Sequence, residues 1–308
     1  MENTRAKTTR NSLILLLTAT IWGMAFVSQS KGMDYMHPFT FNGVRSLIGA
    51  AGILVYILIS RKIAGDKAAK LDWKRNVRAG LLCGIFLTIA STLQQFGIKY
   101  TSVGKAGFIT TLYIIFVPMF GIFLKKKVAP VVWAAASMAA VGMYLLCMTE
   151  SLRLGAGDIM VFLCAIAFAI QIMTVDHYAA RIDGAVVSCI QFTVCGVVCC
   201  IGALIWGQPT FGQIQEGLGA LLYAGVLSCG VGYTLQIVGQ KGLNPTVAAL
   251  IMSLESVIAT ISGWIAYKIG FLSTDQTLTP RQIAGCVIVF AAVILVQLPP
   301  EWFRFGKK

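Results

Sequence analysis

Glu255 is the only acid in the apolar stretch Asn244–Lys268. A helix starting at Pro245 carries its carboxyl roughly 15 Å along the axis, at about 1.5 Å per residue. That depth is near the midplane of a hydrocarbon core about 30 Å thick. A carboxyl there is costly and marks a candidate functional site. Low dielectric disfavours its charged form unless a cation pairs with it, so it is a candidate for binding and releasing a proton during transport. The structural alternative is an acid hydrogen-bonded between helices. Arg45 is the second candidate. It lies inside another apolar run, roughly 10 Å from the run's end. It can snorkel to the interface, fork onto a substrate carboxylate or pair with Glu255.

Polar residues inside the apolar runs form a third group: Trp22, Gln29, Asn42, Gln94, Gln95, Tyr113, Gln171, Tyr233, Gln236 and Ser253. Singly, an amide in lipid is commonly glue between helices, about 1 kcal/mol or less per bond. As a set these side chains are what a polar metabolite needs, and they are expected to line a cavity. Pro118, inside a fourth run, is expected to kink its helix. Gly80 and Gly84 make a GxxxG face for close helix approach.

Other chemistries find little support. Gly155-Ala156-Gly157-Asp158 matches the GxGD of intramembrane aspartyl proteases. That reaction needs two carboxylates sharing a proton, and no second aspartate lies within a run. His37 and His177 are isolated, so no metal site is expected. Nine cysteines all fall in apolar runs without CxxC spacing and read as small apolar residues. There is no GxxxxGK[ST] loop to bind ATP and no GxSxG elbow. No cofactor is implied and no enzyme activity is expected.

The elements that must position these residues follow from composition. Of 308 residues, 57% are hydrophobic and 12% charged, with mean hydropathy +0.79. Soluble domains carry about 25% charged residues. Ten apolar runs lie near 12–30, 38–60, 77–98, 104–124, 130–148, 156–175, 184–206, 217–239, 245–267 and 280–298. They are too evenly apolar for barrel strands, so the expected fold is an all-α polytopic membrane protein of ten transmembrane helices. The first run is too long for a signal peptide's h-region.

With the N-terminus inside, 18 of the 25 Lys and Arg residues fall on inner segments and six on outer ones, with Arg45 in a span. That bias predicts cytoplasmic termini. It also accounts for the net charge of +13 without a nucleic-acid partner. The expected partners are the lipid bilayer and a small polar metabolite, and homo-oligomer formation stays open.

The chain also repeats. Thr101–Lys127 parallels Asn244–Lys268, with Gln95 and Gln236 at the ends of the preceding helices. In that alignment Val117-Pro118 stands opposite Glu255-Ser256, with about three extra residues in the first copy. Two halves result, 12–148 and 156–298, each of five spans. Five is odd, so the second half enters the membrane with opposite polarity. Such inverted repeats are the trace of secondary transporters.

WGMAFVSQSKG, FNGVRSLIGAAGIL, YTSVGKAGFITTLYIIFVPMFG and LESVIATISGW resemble the drug/metabolite transporter superfamily, in particular its EamA-like branch. The resemblance covers nearly the whole chain. It implies a ten-helix exporter or permease of the cell (inner or plasma) membrane, made of two EamA repeats. It also implies substrates such as amino acids, nucleobases or other small polar metabolites. In one departure, Ser256 stands where many relatives read Leu-Glu-Pro, which implies a milder backbone break. The expected function is secondary transport by alternating access, with Glu255 as the candidate for proton coupling. A membrane enzyme would need an ionisable cluster near one face, and a scaffold would need a soluble partner domain.

Overall fold

A computed structural model describes residues 2–65, 71–124, 128–147, 155–273 and 275–297. Lys67, Lys70, Lys125, Lys126, Lys127, Arg153, Trp302, Arg304, Lys307 and Lys308 lie outside these residues. Within them the chain is helical, and no strand occurs among the described residues. In order run α1 (Glu2–Gly32), α2 (Pro38–Ala64), α3 (Trp73–Ile98), α4 (Val103–Thr111), α5 (Tyr113–Phe123), α6 (Pro130–Cys147) and α7 (Ala156–Tyr178). They are followed by α8 (Gly184–Gly202), α9 (Phe211–Glu216), α10 (Leu218–Leu222), α11 (Tyr233–Gln240), α12 (Pro245–Met252), α13 (Leu254–Lys268) and α14 (Pro280–Gln297).

Among the described residues eight segments are long and apolar enough to cross a membrane. The fifth and tenth expected runs give shorter apolar helices, Pro130–Gly142 and Pro280–Leu295, within α6 and α14. Large apolar side chains such as Leu58, Ile59 and Val55 face outward, while Gln94, Gln95, Gln171 and Gln236 are buried. That is the distribution expected when the outer solvent is lipid and polar groups turn to the bundle interior.

The helix starts are written locally. Pro38 and Pro245 occupy first-turn positions where no N–H is needed. Asp72, Ser102, Asp183 and Asn244 cap their helices by accepting from backbone N–H groups. His37 does the same for α2 from Phe39 N at 3.4 Å. Burial, then the charge of Lys99, holds His37 below the usual imidazole range.

The most extensive packing joins α2 to α8, α3 to α7 and α8, α6 to α14, and α1 to α13. Gly80 and Gly84 allow the α3–α8 approach. A Cβ at Gly80 would lie 2.6 Å from Ile190 Cβ, and one at Gly84 2.9 Å from Val194 Cβ. The run 217–239 is not a plain α-helix. Tyr223–Gly232, between α10 and α11, widens to π-helical turns.

The fourth and ninth runs are each interrupted once. The first break is at Leu112, and Pro118 lies further along, inside α5. The second is at Ser253, with no proline needed. Both use a hydroxyl that donates to the carbonyl three residues back: Thr111 Oγ1 to Phe108 O at 2.8 Å, and Ser253 Oγ to Leu250 O at 2.7 Å. Such back-bonding competes with the helix ladder. Tighter i→i+3 bonds follow, Ile115 N to Leu112 O and Ser256 N to Ser253 O.

Candidate functional site

The broken helices bring Glu255 to the wall of a cavity at the centre of the bundle. Its volume is about 30 Å³, room for a couple of waters at about 10–15 Å³ each and far below the roughly 300 Å³ of a ligand pocket. Eight of the twelve residues singled out most strongly from sequence line it: Trp22, Arg45, Gln94, Tyr113, Gln171, Tyr233, Gln236 and Glu255. Gln29 lines it too. Asn42, Gln95, Ser253 and Pro118 do not, and each is occupied elsewhere. Asn42 donates to Ser91 O and accepts from Arg45 Nε at 2.9 Å. Gln95 Nε2 donates to Gln29 O. Ser253 makes the helix break, and Pro118 is buried in α5.

Glu255 is 4% exposed and accepts from Tyr113 Oη at 3.0 Å. Arg45 is 5% exposed, held by Asn42 and lying over the Phe41 ring at 5.5 Å. No ion pair joins Arg45 to Glu255. The cavity therefore presents a buried cation and a buried acid, each with neutral partners only among the described residues. Uncompensated charge in a dry interior is costly, so a ligand offering the opposite charges would be held at both ends.

The two halves contribute equivalent residues at a constant spacing. Tyr113 and Glu255, which touch, are 142 positions apart. Phe26 and Phe168, Gln29 and Gln171, and Gln94 and Gln236 have the same separation, and all line the cavity. The hydroxyls at the helix breaks, Thr111 and Ser253, share it as well. The residue opposite Glu255 is thus Tyr113, not Val117 or Pro118, and Gln94 rather than Gln95 matches Gln236. No insertion separates the copies here. Phe26, Thr110, Phe168 and Ser228 were not singled out from sequence, yet they line the cavity. The 142-residue spacing is the signal that finds the two phenylalanines.

The amides differ between halves. Gln171 and Gln236 form a reciprocal pair at 3.2 and 3.3 Å. Their equivalents do not: Gln94 donates to Thr110 Oγ1 at 3.1 Å, and Gln29 Oε1 is buried without a partner among the described residues. Position 252, equivalent to Thr110, is a methionine and offers no comparable acceptor. Aromatic rings complete the wall, with Trp22 and Tyr233 at 4.5 Å between centroids, and Phe192 backs Tyr233 at 4.9 Å.

Each end of the cavity region is tied. On one side Asp158 takes Lys105 Nζ at 2.6 Å and Thr101 Oγ1 at 2.9 Å, fixing the α3–α4 turn to the start of α7. Asp158 also accepts from Gly155 N. The GxGD aspartate is thus a helix cap and ion-pair partner. On the other side Asn11 Nδ2 donates to Lys241 O at 2.7 Å, fixing α1 to the α11–α12 turn.

The model of the EamA-like transporter family matches residues 10–148 and 155–298. The chain belongs to the EamA-like transporter family. Among curated proteins it is 27% identical over 290 residues to an uncharacterized transporter of Archaeoglobus fulgidus, covering 92% of this chain and 84% of that one. It is 24% identical over 295 residues to the uncharacterized transporter YwfM of Bacillus subtilis, covering 94% of each. A protein of known crystal structure superposes with TM-score 0.74 at 16% identity, over 96% of this chain and 99% of its own. That likeness concerns the fold. This EamA-like protein is a multi-pass membrane protein, and its relatives are named as transporters.

Proposed function

We propose that the chain is a secondary transporter of the plasma membrane that moves small zwitterionic metabolites, amino acids foremost. It crosses the membrane ten times in two inverted halves, 12–148 and 156–298, with both termini in the cytoplasm. Two observations support the repeat and a two-fold relation between its copies. Equivalent cavity residues recur 142 positions apart. Helix contacts also exchange in pairs: α3 packs on α7, while α11 and the π-helical segment pack on α1, as a two-fold relation between halves requires.

The observation that carries the function is the central cavity walled by both halves, with Arg45 and Glu255 unpaired in it. Arg45 takes the substrate carboxylate in a bidentate fork, and Asn42 positions it. Glu255 takes the substrate ammonium, oriented by Tyr113. Gln29 and Gln94 offer hydrogen bonds, while Trp22 and Tyr233 supply a face for the substrate's carbon skeleton. The present volume admits only water, so loading requires the halves to rock apart at one end and then the other. A charged, unpaired Glu255 opposes that motion in a dry interior. Either the substrate ammonium or a proton neutralises it. One carboxylate competed for by two cations exchanges substrate for proton.

Metabolite profiling of cells lacking the protein against cells overproducing it tests the reading. Intracellular levels of one or a few zwitterionic metabolites should shift in opposite directions, and overproduced Arg45→Gln should not reproduce the shift. Unchanged profiles, or a shift confined to anions or neutral solutes, would contradict it.

A further inference from the structure

Where α2 ends and α3 and α8 begin, a second cavity of about 710 Å³ opens at the edge of the bundle. Arg61, Arg75, Arg181 and Lys241 line it, against Asp72 and Asp183. Both acids serve their own helices. Asp72 caps α3 and pairs with Arg75 at 3.4 Å, and Asp183 caps α8 through Ala185 N and Val186 N. No carboxylate of the described residues lies within ion-pairing distance of Arg181 or Lys241. Lys241 Nζ instead donates to Ile182 O.

This basic cavity runs into an apolar slot of about 420 Å³ between α2 and the π-helical segment with α11. Tyr56, Thr234 and Val238 belong to both, and Tyr56 is exposed where they meet. Gly52 opens the slot: a Cβ built there meets nothing within 4 Å.

We propose that the cavity and slot together bind one anionic glycerophospholipid, its phosphate among Arg61, Arg181 and Lys241 and one acyl chain in the slot past Gly52. The charge excess selects an anionic head over a zwitterionic one. The continuous apolar slot selects an amphiphile over a soluble phosphate, which would leave that surface uncovered. Basic pockets between membrane helices hold anionic headgroups by this combination. A tyrosine at the junction sits where aromatic residues meet the headgroup layer. The bound lipid bridges α2, α3 and α8 from the first and second halves, outside the central cavity, and the assignment does not depend on what the protein transports.

Native mass spectrometry of the full chain in mixed micelles tests it, with phosphatidylglycerol, phosphatidylcholine of the same chains, and soluble glycerol phosphate as probes. Phosphatidylglycerol adducts should exceed phosphatidylcholine adducts about tenfold. Arg181→Gln should lower them about fivefold, the equivalent of about 1 kcal/mol per cation. Gly52→Leu, which fills the slot and favours the helix, should lower them at least as much with thermal unfolding unchanged. Glycerol phosphate should not displace the lipid. Equal retention of the two lipids, full retention by Gly52→Leu, or displacement by glycerol phosphate would each overturn the proposal.

Discussion

The two walls of the central cavity have one plan and different chemistry. Phe26 and Phe168, Gln29 and Gln171, and Gln94 and Gln236 are identical pairs at a constant spacing. Shape is therefore shared. Charge and hydrogen-bonding capacity are not. The second half holds Glu255 where the first holds Tyr113, and the first half alone supplies the cavity with a cation, Arg45. The second half also locks its two glutamines to each other, while the first leaves Gln29 Oε1 unpartnered. Two copies of one frame thus make a polar axis, with an arginine and open amides on one wall and an acid with closed amides on the other. A symmetric frame can rock, and an asymmetric lining can orient a dipolar substrate.

Substitutions that erase this difference should have effects in a definite order. Arg45→Gln removes the only cation of the cavity and should weaken substrate binding about 30-fold or more, because truncating one partner of a buried charge pair costs about 2 kcal/mol or more. Equilibrium binding to purified protein reads it, and binding within threefold of wild type would break the comparison. Tyr113→Phe withdraws the hydrogen bond to Glu255. Such a bond to a charged group is worth about 1.5–3 kcal/mol, so affinity should fall about tenfold while the protein stays folded.

The glutamines sharpen the contrast at smaller scale. Gln171→Leu strands Gln236 and should lower thermal stability, by about 0.6–1.7 kcal/mol on the scale of bonds between membrane helices. Gln29→Leu, its equivalent, should change stability less but weaken substrate binding more. The reverse ranking would contradict the assignment of open and closed amides. Thr110→Val removes the acceptor that draws Gln94 away and should let Gln94 turn toward Gln29. A modest loss of affinity, about two- to threefold, is expected, with a compensating gain in stability on heating.

Much of this was legible in the sequence because membranes impose strong rules. Length and polarity mark the spans, and Glu255 and Arg45 stand out because charge inside a span is costly. The helix breaks at Leu112 and Ser253 are not legible in the sequence, because neither carries the proline that ordinarily marks one. Here the breaks fall beside Thr111 and at Ser253, whose hydroxyls bond back to carbonyls three residues earlier, and threonines bond back in continuous helix as well. An alignment with about three extra residues in the first copy sets Val117-Pro118 opposite Glu255, whereas the constant 142-residue spacing sets Tyr113 there. Asn42 and Gln95 were read as cavity residues from type alone. Their neighbours Arg45 and Gln29 claim them, and a linear pattern does not reveal which of two adjacent amides faces inward. Phe26 and Phe168 escaped notice because a phenylalanine in an apolar run ordinarily packs against lipid or other helices.

Glu255 decides the account. Purified protein in proteoliposomes, given radiolabelled zwitterionic amino acids and an imposed pH gradient, should accumulate label in proportion to that gradient. Glu255→Gln, which keeps the shape and the hydrogen-bond capacity but removes the charge, should bind substrate at least about tenfold more weakly and lose the dependence on the gradient. Gradient-driven accumulation by Glu255→Gln at the wild-type rate would contradict the central claim.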